Sequence, residues 1–251
     1  MRKLASIILF LAILSNSFGQ SKNSPLQISH LTGDFYVYKT FHDYKGTLIS
    51  ANAMYLVTNK GVVLFDAPWD QTQFQPLLDT IKARHNKKVV MCFATHSHED
   101  RAGGFDFYAQ KGIKTYAIKA TDQILKDKNE KRAEFVIPND TTFTVGQHIF
   151  QVYYPGKGHA PDNIVVWFEK EKVLYGGCFI KSAEAKDLGF LGDADVKEWE
   201  KSIKKVQAKF KSPKYVITGH DDWKNLNSLK HTLKLVQEHN GEKLSNKSKK
   251  K

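Results

Sequence analysis

Four strand-like segments of this chain run into histidine, aspartate or cysteine, side-chain types that can ligate a metal. Any fold it adopts must therefore account for four distant strand ends. Val89 to Ala94 is a continuous apolar run that passes directly into Thr95-His96-Ser97-His98-Glu99-Asp100-Arg101. His159 follows the strand-like stretch His148 to Tyr154. Cys178 follows Val173 to Tyr175 through Gly176-Gly177, and His220 follows Tyr215 to Thr218. Imidazole and thiolate suit zinc, and a carboxylate can join them. If these ends share one edge of a sheet assembly, the ligands converge on a rigid frame covered by loops.

Local spacing adds to this. In an extended chain, residues i, i+2 and i+4 point to one side. His96, His98 and Asp100 are thus expected to face one cavity. Glycines beside the ligands, among them Gly103-Gly104, Gly158 and Gly219, let backbone crowd a metal. His30, His42, His85, His148, His231 and His239 lack clustered partners and read as surface or packing residues.

The rest of the pattern indicates an α/β fold rich in hairpins. Asn59-Lys60-Gly61, Gly146-Gln147 and Glu169 to Lys172 each separate two strand-like runs. Phe74, Leu77, Leu78 and Ile81 share one face of a helix over 72–84, with Thr72 and Gln75 at capping-box spacing. Further helices are expected over 121–128, after Asp195, and over 228–240. Hairpins imply antiparallel or mixed sheets, and two packed sheets covered by helices would bury every apolar face. A doubly wound parallel sheet is the rival, and the hairpins count against it.

The chain has 251 residues, enough for one large domain or two small ones. Arg2 and Lys3 precede the apolar run Leu4 to Leu14, and small and polar residues follow up to Gly19. This is the layout of a secretory signal peptide over 1–19, cut after Gly19. The run is shorter than the roughly 20 apolar residues of a membrane span. A soluble, exported mature protein over 20–251 is expected.

Net charge is +12, and losing Arg2 and Lys3 leaves +10. Much of the excess lies in the Lys-rich tail over 243–251, which reads as a solvated, flexible end. There is no basic-aromatic stripe, and an exported protein rarely meets nucleic acid, so that partner is not expected. Cys92 and Cys178 are the only cysteines, and their default in an oxidising compartment is a disulfide.

His96-Ser97-His98-Glu99-Asp100 resembles the H-x-H-x-D motif of the metallo-β-lactamase superfamily. Glyoxalase II and nuclease relatives usually carry a metal-binding histidine directly after that aspartate, where this chain has Arg101. Together with Gly176-Gly177-Cys178, this is similar to the first subclass of class B β-lactamases. Leu64 to Asp70, Gly158 to Asn163 and Cys178 to Lys181 support the likeness, which spans roughly residues 30–240.

The resemblance implies a four-layer αββα sandwich with the site at one edge of the sheets. It implies two Zn2+ ions, one on His96, His98 and His159, the other on Asp100, Cys178 and His220. It implies a reduced Cys178, leaving Cys92 as a core residue. It also implies hydrolysis of β-lactam antibiotics by a metal-bound hydroxide that Asp100 orients, with Lys181 binding the substrate carboxylate. Antibiotic resistance follows from the same likeness; export to the periplasm is expected from the layout of residues 1–19, and a monomer because no interface signal stands out.

Arg101 is expected to support the second metal site. Asp66 and Asp162 are expected to orient ligand histidines. The segment 41–48 is expected to lie over the site as a flap, with Phe41, Tyr44 and Leu48 meeting the drug. Phe190 stands where the subclass commonly has a substrate-holding asparagine, and Ala160 where threonine often follows the histidine. The alternatives are another hydrolase on this fold, such as a lactonase or thioesterase, and a zinc-binding protein without catalysis.

Overall fold

The computed structural model describes residues 26–248. The signal peptide expected over 1–19 lies outside the described residues. Twelve strands and six α-helices are described. The first sheet runs in spatial order β1 (Leu26–Thr32), β2 (Phe35–Tyr44), β3 (Thr47–Thr58), β4 (Gly61–Phe65), β5 (Val89–Phe93), β6 (Lys114–Ile118), β7 (Phe135–Ile137). Strands β1 to β4 form an antiparallel meander, and β4 to β7 pair in parallel.

Each parallel step needs a crossover, and helices supply it. These are α1 (Phe74–His85), then α2 (Glu99–Ala102) with α3 (Phe105–Gln110), then α4 (Lys119–Asp127). The second sheet is ordered β12 (Tyr215–Thr218), β11 (Val173–Gly177), β10 (Val165–Phe168), β9 (His148–Tyr153), β8 (Asp140–Val145). Only β11 and β12 are parallel there, joined through α5 (Val196–Lys209). The last helix is α6 (Ser228–Ser248).

Period-2 alternation sorts side chains into three apolar layers. Phe65, Phe93, Phe150, Phe168, Tyr175 and Ile217 fill the space between the sheets. Their rings meet edge to face, as in Phe65–Phe150 at 87° and Phe65–Phe168 at 88°. Leu64 and Tyr55 point the other way, onto Leu77, Ile81 and Tyr108 of the outer helices. Leu174 and Val216 do the same on the second sheet, against Trp199, Ile203 and Val206 of α5 and Val236 of α6. The result is helices, sheet, sheet, helices: the αββα sandwich. Strands β4 and β11 are buried throughout because both faces are covered.

Several local expectations change. Asp70, not Thr72, caps the turn before α1: its side chain accepts from Thr72 N at 2.9 Å. Strand β1 and the short helices α2 and α3 were not apparent from periodicity. Helix α6 continues to Ser248, past the expected end at Asn240 and into the Lys-rich segment. No helix among the described residues is long and apolar enough to cross a membrane.

Candidate metal centre

Strands β4, β5, β9, β11 and β12 end at one edge of the sandwich, and the chemistry-bearing residues lie just beyond those ends. His96, His98 and His159 offer ligand atoms within 4.8 Å of one another. Their ring centroids are 4.6 to 5.1 Å apart, with planes 77° to 88° from parallel. The rings converge on a point and do not stack. His96 Nε2 is buried with no hydrogen-bond partner. Such an atom costs about 1–3 kcal/mol unless something fills the place, and a cation does so. Burial holds the pKa values of His96 and His159 well below the ordinary value, so both are neutral imidazoles, the ligand form.

His98 Nε2 lies 2.8 Å from Asp193 Oδ2, which leaves Nδ1 as the nitrogen available to the centre.

The second group is equally tight. Cys178 Sγ lies 3.4 Å from Asp100 Oδ2 and 3.2 Å from His220 Nε2. The same Nε2 is 3.4 Å from Asp100 Oδ2, closing a triangle. His96, Asp100 and Cys178 also fall within 4.8 Å of one another, so the two groups are contiguous. His220 Nδ1 is 2.7 Å from Ser50 O, which assigns its proton to Nδ1 when the ring is neutral and points Nε2 inward. A carboxylate, a thiol and an imidazole at these separations are a zinc-binding donor set.

Asp100 reaches this second group for a reason the alternation argument missed. The chain does not stay extended through it. His98 is the last extended residue, and Glu99–Ala102 turns as α2. That turn carries Asp100 to Cys178 and His220 while it stays within reach of His96, and it places Arg101 beside it.

Arg101 is fully buried. Its guanidinium gives hydrogen bonds to Cys178 Sγ from Nε at 3.2 Å and Nη2 at 3.0 Å, to Asn52 O at 2.7 Å and to Gly219 O at 2.8 Å. Asp100 Oδ2 is 3.0 Å away and Asp66 Oδ2 3.5 Å. Burial raises the pKa of Asp100, but Arg101 and His220 outweigh that and hold it well below the usual carboxylate range.

Asp66 reaches a ligand ring through Thr95, whose Oγ1 lies 3.4 Å from His96 Nδ1, and Asp162 acts through the backbone of Ser97. Asp66 accepts from Thr95 N at 2.6 Å, Thr95 Oγ1 at 2.8 Å and Tyr175 Oη at 2.5 Å. Asp162 accepts from Ser97 N at 2.8 Å. The two carboxylates hold the peptide on either side of His96 and so fix the loop. Asp66 does this from a left-handed backbone, φ 71°. Such strain persists only where the surroundings impose it.

Close backbone approach explains the glycine at Gly219. A Cβ there would lie 2.5 Å from Cys178 N and 2.7 Å from Gly177 C. Both cysteines are free thiols, so the disulfide expected by default is absent. Cys92 sits in the apolar layer under α1.

Both groups open on a cleft of about 620 Å³. Lys181 lines it, with Nζ 5.5 Å from the centre of the Trp199 ring and burial drawing its pKa down. Phe190 lines it too, 58% exposed. The expected flap is a regular hairpin, with Tyr44 paired to Thr47 across its turn. Tyr44 and Ile49 line the cleft from it, together with Trp69, whereas Phe41 and Leu48 are not in the lining.

Asp193, Ser50, Thr95 and Asn52 were missed by sequence reading. Asn52 is fully buried mid-strand, donates to Thr218 O and Asp221 O at 3.1 Å, and ties the first sheet to the end of β12. No motif marks a single asparagine in an apolar strand.

A Metallo-beta-lactamase superfamily model matches residues 46–220. The chain is 50% identical over 224 residues to a metallo-beta-lactamase type 2 of Elizabethkingia meningoseptica, covering 89% of this chain and 90% of that one. It is 48% identical over 206 residues to metallo-beta-lactamase IND-1 of Chryseobacterium indologenes, covering 82% and 86%. Among solved structures it is similar to metallo-beta-lactamase IND-7, with TM-score 0.83 and 46% identity over 86% of this chain and 100% of that one. A shared sandwich, a match across most of the sequence and a site at the same family motif lead to one conclusion: this chain belongs to the metallo-β-lactamase superfamily.

Proposed function

We propose that this chain hydrolyses the amide bond of β-lactam antibiotics, penicillins, cephalosporins and carbapenems among them, using two Zn2+ ions, and that it confers resistance on its host. The observation that carries the reading is the pair of contiguous donor groups, three histidines beside Asp100, Cys178 and His220, opening on one cleft with Lys181.

Zinc bound there supplies a Lewis acid and lowers the pKa of water to roughly 7. The residues do the rest. Asp193 and Ser50 O fix the tautomers of His98 and His220. Arg101 keeps Asp100 ionised, the form in which it serves the second donor group and orients the attacking water by hydrogen bonding. Lys181 pairs with the carboxylate next to the ring nitrogen and so sets the carbonyl over the donor groups. The net reaction adds water across the C–N bond, and the nitrogen leaves with the proton. Thr95 and Ser97, held by Asp66 and Asp162, keep the histidine loop from shifting.

The layout of residues 1–19 supports export to the periplasm with cleavage after Gly19, giving a single-domain monomer in which the zinc site lies open to incoming drug. A lactonase or thioesterase on this fold is the competing reading. Arg101 in place of histidine and Cys178 at the later position argue against it. Hydrolysis of a carbapenem, a lactone and a thioester by one zinc-loaded sample decides between them. Turnover of the carbapenem alone is expected. Turnover of the lactone or thioester without the carbapenem would overturn the reading.

A further inference from the structure

Asp66 is where the supports of the two donor groups meet. Its carboxylate holds Thr95 N and Thr95 Oγ1. The Thr95 hydroxyl gives its one proton to Asp66, so it accepts from His96 Nδ1, 3.4 Å away, and leaves Nε2 for the centre. On the other side, Ala67 N donates to Arg101 O at 3.0 Å. The Asp66–Ala67 peptide therefore lies between the support of His96 and the support of Cys178. Its orientation depends on the left-handed φ of 71° at Asp66. The β3–β4 ladder has already ended, with Met54 paired to Phe65. A side chain from another strand takes over at the Asp66 carbonyl: Tyr38 Oη donates to it at 2.5 Å.

We infer that Tyr38 is a positioning residue for the metal centre: its hydroxyl sets the Asp66–Ala67 peptide, which keeps the two donor groups in register. This rests on the two-zinc hydrolase reading. Tyr38 is wholly buried on β2, and its cross-strand partner on β3 is Ala53. The small side chain of Ala53 leaves the phenol ring room to cross β3 toward Asp66. The ring lies in the apolar layer under the outer helices, 6.4 Å from Tyr55. Burial pushes its pKa well above the ordinary tyrosine value, so the hydroxyl keeps its proton and donates it. Tyr38 does not line the cleft. Asp66 N donates to Phe93 O at 2.7 Å, and Tyr175 Oη donates to the carboxylate. With Tyr38 on the carbonyl, the left-handed residue is held at every polar group, the condition under which such a conformation persists. Without the hydroxyl, a buried carbonyl loses its hydrogen bond. The peptide then relaxes, and Thr95 and Arg101 shift with it.

The test titrates metal-free wild-type, Tyr38→Phe and Thr58→Val proteins with zinc against a chelating dye. Tyr38→Phe removes one oxygen and keeps the ring. Thr58→Val is the control. Thr58 Oγ1 donates to Gly61 O at 2.7 Å at the far end of β4, so this variant also deprives a buried carbonyl of its side-chain partner, away from the metal centre. Tyr38→Phe is expected to weaken the binding of both zinc ions roughly tenfold, the lower end of the usual cost of losing a support behind metal ligands. At saturating zinc its kcat for a carbapenem should fall while KM stays near wild type, because Tyr38 touches no substrate. Thr58→Val should bind zinc and turn over like wild type, even where urea unfolding shows an equal loss of stability. Wild-type zinc affinity in Tyr38→Phe, or an equal weakening in Thr58→Val, would overturn the role of Tyr38 while leaving the hydrolase reading intact. A wild-type protein that binds no zinc would overturn the two-zinc reading and this inference with it.

Discussion

Arg101 and Cys178 are joined by two hydrogen bonds, Nε and Nη2 to Sγ at 3.2 and 3.0 Å, wholly out of solvent. The same guanidinium lies between Asp66 and Asp100 and bonds two carbonyls. Removing it leaves buried carboxylates without a counter-charge, which typically costs about 3–5 kcal/mol. Arg101→Ala is expected to lose that much stability in urea unfolding of metal-free protein and to bind the second zinc more weakly. Arg101→Lys keeps the charge but not the planar fork, and should recover part of the stability and little of the second-zinc affinity. Equal zinc binding by all three proteins would contradict this role.

The pH dependence of zinc binding follows from His220. Burial disfavours its charged form, but Cys178 and Asp100 outweigh burial and push its pKa from 6.5 up to about 9. A raised value means that charged His220 stabilises the metal-free fold fully below pH 6.5, and that this contribution disappears as pH rises through about 9. Zinc must displace that proton. Second-zinc affinity should therefore climb between pH 6.5 and about 9, with His220 releasing a proton on binding. Calorimetry in buffers of different ionisation heat measures the release, and affinity flat across this range would contradict the assignment.

The sequence revealed the ligands more clearly than their supports. His96, His98, His159, Cys178 and His220 all follow strands, because a strand end is where a sheet hands a side chain to a cleft. Asp100 was identified with the wrong geometry, since the four-residue turn of α2 is too short to leave a periodic signal. Asp66 and Asp162 were placed near the site, but the partners they hold, Thr95 and Ser97, are set by tertiary packing. Asn52 and Asp193 act across 166 and 95 residues of sequence, and nothing local announces such contacts.

Gly219→Ala tests the close approach behind Cys178. The new Cβ would meet backbone at 2.5 Å, and backbone cannot rotate aside as a side-chain tip can. The variant is expected to lose about 1–3 kcal/mol, the usual cost of overpacking, and to lose second-zinc affinity in competition with a chelating dye. Gly176→Ala, whose Cβ would first meet the Ile180 side chain, should cost less. A reversed order would contradict the packing argument.

Lys181→Ala separates binding from chemistry. A charged hydrogen bond contributes about 1.5–3 kcal/mol, so KM for carboxylate-bearing β-lactams should rise roughly 10- to 100-fold. Zinc content and kcat should stay near wild type, because Lys181 belongs to neither donor group. A fall in kcat at constant KM would remove it from substrate binding.

The most direct test of the account is a zinc count combined with carbapenem hydrolysis on the same sample, before and after chelation. Two zinc ions per chain with turnover are predicted. Activity should be abolished by the chelator and restored by zinc, and Cys178→Ser should hold one ion with strongly reduced turnover. Turnover that persists in metal-free protein, or a Cys178→Ser variant with two ions and near-normal activity, would contradict the two-group metal centre.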